Sequence, residues 1–226
     1  CTITCNMTNM QGLQSQLQTI LGEGKATLTA DEQAADNKSP FRYSLGMQQT
    51  MNFGSFKDYD MTNRFFNRNL AGGAMLDIGV YALSFIRFFF DSKPDTIKSI
   101  MKPAPTGVDE QAGLLLMNKE GQMATVMLSL HSKQPKRGMV SCENGIIEIM
   151  EYPRAWEASV SYIDSGETEI IKAGDNADAL AYELMDMEEA IRGNREVMKL
   201  EFTKDVMELM TAFRKEWNFT YPEEES

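Results

Sequence analysis

The sequence is poor in cysteine, histidine and positive charge, and it lacks any long uninterrupted apolar run. Its three cysteines, Cys1, Cys5 and Cys142, form no CxxC pair and are too few to build a disulfide framework in 226 residues. Reduced thiols are expected, as in a cytoplasmic protein. The single histidine, His131, excludes multi-histidine metal sites, and no metal centre is predicted. Lys and Arg number 22 against 33 Asp and Glu, a net charge of −11. That balance opposes the counterion release that drives nucleic-acid binding. The most apolar stretch, 74–90, is interrupted by Asp77 and Arg87, so no membrane span is expected. No basic segment followed by an apolar one opens the chain, so no secretory signal is read. Neither GxGxxG nor GxxxxGK[ST] occurs, and no phosphate-cradling loop can be assigned.

With 42% hydrophobic and 24% charged residues, the chain has the composition of a folded globular protein. Residues 1–43 are rich in Gln, Thr, Asn and Ala, with a possible short helix at 11–21 and a solvated loop at 29–40. From residue 44 the signals sharpen. A strand is predicted at 45–53, a long loop at 55–70, and a buried helix at 74–90 that ends before Pro94. Strands follow at 96–101, 112–117, 122–130, 138–142, 146–150, 158–163 and 168–172. Turns rich in Gly, Asn and Asp separate most of them, among them Asn144-Gly145. Two helices close the chain. The first, 178–192, carries Leu180, Leu184, Met187 and Ile191 on one face. The second, 203–217, has Thr203 as its N-cap and Val206, Met210, Phe213 and Trp217 on one face. The predicted fold is α/β of the α+β kind, a large, mainly antiparallel sheet with helices on one face and no Rossmann domain.

The informative stretch runs from Asn63 and Arg64 through Gly72-Gly73 to Asp77, Gly79 and Tyr81. Asp77 and Tyr81 stand four residues apart, on one face of a helix. Gly79 removes bulk between them, and the glycine pair permits close approach to the helix start. A phenol beside a carboxylate can exchange protons with a substrate or orient it. An aspartate near a helix start also serves as a cap, and a tyrosine on an apolar helix as core filling. The residues alone leave both readings open. Other clusters point to less. Asp109-Glu110 and Asp186 with Glu188-Glu189 read as solvent-facing carboxylates, His131 as a structural histidine, and 133–137 as a basic patch too short for nucleic acid.

The run 71–81, Ala-Gly-Gly-Ala-Met-Leu-Asp-Ile-Gly-Val-Tyr, resembles the second-domain signature of the glucose–fructose oxidoreductase/inositol dehydrogenase (Gfo/Idh/MocA) family. It is most similar to that family's trans-1,2-dihydrobenzene-1,2-diol dehydrogenase-like branch. The similarity continues through 108–111, 143–149 and 217–223. The resemblance implies an NAD(P)-dependent oxidoreductase of sugars, polyols or related alcohols and ketones. It places this chain's residues 44–226 as the substrate-binding and dimerisation domain, and residues 1–43 as a poorly matched remnant of the preceding domain. By the same resemblance Asp77 is the pocket aspartate and Tyr81 holds the catalytic position. Arg64, Asn63 and Gly73 are candidate substrate contacts. NAD or NADP is implied for the complete enzyme. The family's dinucleotide fingerprint and its Glu-Lys-Pro motif are absent from these residues. A truncated product or fragment is therefore expected, one that neither binds cofactor nor turns over alone. A homodimer through the open sheet face is expected. The alternative is a non-catalytic association module with a vestigial pocket.

Overall fold

The computed structural model describes residues 47–224. The expectations for residues 1–43, Cys1 and Cys5 included, lie outside the described residues. Eight strands form one sheet in the order β2-β3-β4-β1-β5-β6-β7-β8. They are β1 Gln48–Gly54, β2 Thr96–Pro103, β3 Asp109–Met117, β4 Met123–Ser129, β5 Gln134–Ser141, β6 Gly145–Met150, β7 Glu157–Tyr162 and β8 Thr168–Lys172. Every pairing is antiparallel except that of β1 with β4. The mainly antiparallel sheet is thus as predicted.

Alternation explains which face is covered. In β4, Ala124, Val126 and Leu128 are buried while Thr125 and Met127 are exposed. In β6, Ile147 and Ile149 face inward and Ile146 and Met150 outward. The inward rows meet Leu83, Phe85, Ile86 and Phe89 of α1, Val80–Phe89. A second covering helix, α3, spans Leu200–Glu216 and buries Val206, Leu209, Met210 and Phe213. Arg87 of α1 reaches Asp205 of α3 at 2.6 Å and lies over the Phe202 ring, tying the two helices together. Between residues 68 and 89 the chain is long and apolar enough to cross a membrane by composition. Most of that stretch is buried in the protein, as in the core helix of a folded domain.

Three local expectations need correction. The helix predicted at 74–90 opens with a π-type turn, Met75–Gly79, before α1 begins. Thr203 is not an N-cap. Helix α3 starts three residues earlier, after Lys199 in the left-handed region at φ 43°. Helix α2, Ala179–Ile191, forms where predicted, but its apolar stripe is exposed, with Leu180 at 62%, Leu184 at 70% and Ile191 at 80%. Its buried positions are Ala179 and Asp186, and its main neighbours are the short turns Asn176–Asp178 and Arg195–Met198. Periodicity specifies an apolar face but not which other surface will cover it.

Candidate functional site

The loop between β1 and α1 is built rather than loose. Ser55 and Lys57 donate their backbone N–H groups to the Ser129 and Leu130 carbonyls at 2.9 Å, which continues the β1–β4 pairing outward. Asn63 Oδ1 accepts from the Phe65 N–H at 3.2 Å, and Phe66 is fully buried. A short 3-10 turn, Arg68–Leu70, ends at Ala71 in the left-handed region. Gly72 and Gly73 follow. Gly73 adopts φ 121°, a backbone state that side chains strain.

Asp77 and Tyr81 then emerge from the helix start. Asp77 pairs with Arg64 Nη2 at 3.0 Å, its own side chain 19% exposed and that of Arg64 64%. The Arg64 guanidinium also lies 4.0 Å from the centre of the Phe65 ring. Tyr81 is half-buried, its ring 5.9 Å from that of Phe53 at the end of β1. The carboxylate and the phenol therefore lie at the border of the core, neither sealed within it nor fully exposed. Asn63 belongs to the same loop, but its carbonyl oxygen is used in the local turn.

Gly72 takes the close backbone approach expected of the pair, since a Cβ there would meet the Arg64 carbonyl oxygen at 2.7 Å, while Gly79 and Gly73 act differently. A Cβ on Gly79 would meet Leu128 Cδ1 and Met75 Sδ, both at 2.9 Å, so this glycine seats the helix on β4. Over Gly73 the close approach is taken by the Asp109 carboxylate, on whose Oδ1 a Cβ would collide. The other oxygen of Asp109 accepts from the Met75 N–H at 2.6 Å.

Asp109 and Glu110 are both 1% exposed, which overturns the solvent-facing reading. Glu110 continues the inward row of Ala112, Leu114 and Leu116. The β2–β3 register shifts between Lys102 and Pro103, so Glu110 has no partner on β2 and the bulge turns Asp109 inward as well. Burial holds the Asp109 carboxyl up at about 7, against the lowering effect of the Met75 N–H and of Arg214. Glu110 is the opposite case. Burial raises it, but the Tyr59 hydroxyl donates to it and Lys102 and His131 stand against it, and its carboxyl ends below the ordinary value. Lys102 Nζ lies at 2.7 Å, His131 Nε2 at 2.8 Å and Tyr59 Oη at 3.0 Å. The His131 ring packs against those of Tyr59 and Phe66, at 4.5 and 5.8 Å between centres. Asp186 is likewise 5% exposed rather than solvent-facing. Alternation places Glu110 inward with Ala112 and Leu114, but it could not place Asp109, because one inserted residue reverses it.

Among the described residues, the glycine-rich helix start at Gly72-Gly73, where a pyrophosphate would find backbone N–H donors, is closed by the Asp109 carboxylate. Among the described residues no group of three or more His, Cys, Asp or Glu could hold a metal ion. Burial pushes the Cys142 thiol up to about 12, which makes it inert at neutral pH.

Residues 47–148 match the family described as the GFO/IDH/MocA C-terminal domain. Over these residues, just under half of the chain, it resembles the Gfo/Idh/MocA family. It is 26% identical to trans-1,2-dihydrobenzene-1,2-diol dehydrogenase of Mus musculus over 167 residues, covering 69% of this chain and 49% of the relative. To scyllo-inositol 2-dehydrogenase (NADP(+)) of Bacillus subtilis it is 25% identical over 182 residues, covering 79% and 54%. The chain thus spans about half the length of the curated relatives it matches. In fold it is similar to a 3-ketoreductase of Actinomadura kijaniata solved with NADP and TDP-benzene, at TM-score 0.67 and 15% identity, covering 92% of this chain and 59% of that one. It is also similar to an aldose-aldose oxidoreductase of Caulobacter crescentus solved with glycerol, at TM-score 0.65 and 17% identity, covering 92% and 59%. The glycine–aspartate–tyrosine run and the order of strands thus point to the same Gfo/Idh/MocA domain.

Proposed function

We propose that this chain supplies the substrate-binding part of an NAD(P)-dependent oxidoreductase acting on a sugar, polyol or related alcohol or ketone. The observation that carries the reading is the Asp77–Arg64 pair beside Tyr81, at the border of the core on the helix that follows Gly72-Gly73. A hydroxylated substrate offers donors and acceptors in equal measure, and this group answers both. The Asp77 carboxylate accepts from one hydroxyl. The Arg64 guanidinium donates to a neighbouring one. The Tyr81 side chain meets the reacting oxygen: as the phenolate it takes the hydroxyl proton in oxidation, and as the phenol it donates one in reduction. Asn63 lines the loop side, and Gly73 sets the turn from which the helix leaves. NAD or NADP would be held by a nucleotide-binding domain outside these residues.

The test is to join the chain to the nucleotide-binding half of a related dehydrogenase. The fusion is then supplied with NAD⁺ or NADP⁺ and a panel of vicinal diols, cyclic polyols and aldoses. Formation of reduced nicotinamide is expected with at least one of these substrates, and none from the chain alone. A fusion that stays equally active after both Asp77 and Tyr81 are replaced would overturn the reading.

The open sheet face favours a second role, association of two copies. Across the strands it carries Ile100, Leu115, Met127, Ile146, Met150 and Ile170, interleaved with polar side chains such as Lys98, Thr125 and Glu148. Apolar rows on a flat, unpaired face are what a homodimer buries. Met127 sits near the middle of this face, across from Gly113 on one side and Asn52 on the other. Met127→Glu is therefore expected to weaken dimerisation about hundredfold, because a carboxylate in the interface loses its hydration without a partner. Light scattering on a dilution series reads this directly. A monomeric wild type, or an unaffected dimer, would remove the proposal. An intact dimer together with a fusion indifferent to Tyr81 would favour a purely associative role.

A further inference from the structure

The helix that bears Asp77 and Tyr81 begins at an unusual junction. Its first turn is of the π type and carries no side-chain cap from its own segment. The preceding Gly73 is held at φ 121°. Left to itself, such a start would fray, because a helix end leaves backbone donors unpaired. Two side chains from distant parts of the chain close it. Asp109, on the bulge of β3, accepts the Met75 N–H at 2.6 Å. Tyr221, beyond the end of α3, donates its hydroxyl to the Gly72 carbonyl at 2.6 Å.

Both groups are buried, and both are themselves braced. Asp109 is 1% exposed and rests its second oxygen against the Gly73 backbone. Tyr221 is buried beside Phe219, with the Arg214 guanidinium near its ring. The Tyr221 N–H donates to Glu224, which also pairs with Arg214 at 2.6 Å, and Arg68 holds the Thr220 carbonyl. The 3-10 turn before the glycine pair and the segment after α3 are thereby tied to each other.

We propose that Asp109 and Tyr221 are positioning residues: together they fix the Gly72–Met75 turn and so set where Asp77 and Tyr81 stand. This rests on the proposed function only for its catalytic consequence. The geometric claim concerns the chain itself. A carboxylate and a phenol suit the task because each supplies the one hydrogen-bonding partner its backbone group lacks. The bulge at Glu110 brings Asp109 to the inward face, where it meets that N–H.

The experiment is residue-resolved amide hydrogen exchange on the full chain, with Asp109→Ala, Asp109→Asn and Tyr221→Phe. Losing one acceptor for a buried N–H is expected to speed exchange about tenfold or more at Met75 in Asp109→Ala, and by several-fold through residues 76–81. Asp109→Asn keeps an acceptor oxygen and is expected to restore protection to within about threefold of wild type. Tyr221→Phe keeps the ring and is expected to loosen residues 72–77, and it carries the test if Asp109→Ala does not fold. Amides of β4 and β6 should not change, which separates local release from general loss of stability. Unchanged exchange at 72–81 in every folded variant, or equal acceleration across the whole sheet, would overturn the proposal. If exchange responds as expected but the fusion ignores Tyr81→Phe, positioning stands and the catalytic reading fails.

Discussion

Replacing Tyr81 by Phe in the chain joined to a nucleotide-binding half is expected to lower kcat by about a hundredfold to ten-thousandfold, the range lost with a positioned acid–base group. The KM for substrate is expected to change by much less. The ring of Tyr81 packs against Phe53 and belongs to the rim of the core, and phenylalanine preserves that contact. The variant therefore separates the hydroxyl from the packing. Asp77→Asn should behave differently. It keeps the shape but loses the charge that holds Arg64 at 3.0 Å. A rise in KM is expected there along with the fall in kcat, because the guanidinium is then free to leave the site. Steady-state kinetics on both variants, with melting curves to confirm the fold, decides the matter. Equal kcat values for Tyr81→Phe and wild type would remove the phenol from the chemistry.

The second large effect concerns Asp109 and pH. Its carboxyl is raised from 3.8 to about 7, chiefly by burial. The native state therefore holds a proton that the unfolded chain has released between about pH 4 and pH 7. Stability must fall as pH rises through that window and level off above it. Full expression of the shift amounts to on the order of 4 kcal/mol, at about 1.4 kcal/mol per pH unit. The groups facing Asp109 modify this. The Met75 N–H and Arg214 favour the charged form, and the neighbouring Tyr221 phenol is itself pushed up by burial and by the Asp109 charge. Glu110 contributes with the opposite sign, because its carboxyl is lowered and its contribution is lost only in acid. Urea unfolding of wild type and Asp109→Asn at pH 5 and pH 8 isolates the Asp109 contribution. Wild type is expected to lose more stability than the variant on going from pH 5 to pH 8. Parallel pH curves for the two proteins would show that Asp109 does not titrate in this range.

Much of the architecture was legible in the sequence because it rests on local chemistry. Asn144-Gly145 turns the chain between β5 and β6, and the Cys142 N–H closes the turn onto the Gly145 carbonyl at 2.8 Å. Gly121 and Gly166 adopt positive φ at the two other predicted hairpins. Strict alternation in β4 and β6 gave both faces of the sheet. The Asp77–Tyr81 spacing was likewise readable, and both residues lie at the border of the core. The unreadable parts depend on a single residue or on distant segments. A single bulged residue turned Asp109 inward, and no period reports an insertion. Nothing near Gly72 in sequence announces that Tyr221 will hold its carbonyl. The exposed stripe of α2 shows the same limit, since its pattern demands a cover without naming one.

The position of β1 has a kinetic consequence. Strands β2 to β4 form one antiparallel ladder and β5 to β8 another, and the two ladders do not pair with each other. β1 alone joins them, parallel to β4 on one edge and antiparallel to β5 on the other. Each ladder can assemble from short hairpins, which close quickly. Uniting them must wait until β1 finds two registers far from itself along the chain, and such long closures are slow. The seating of this keystone is thus expected to be the slow step of folding, since β1 covers the inner edge of both ladders.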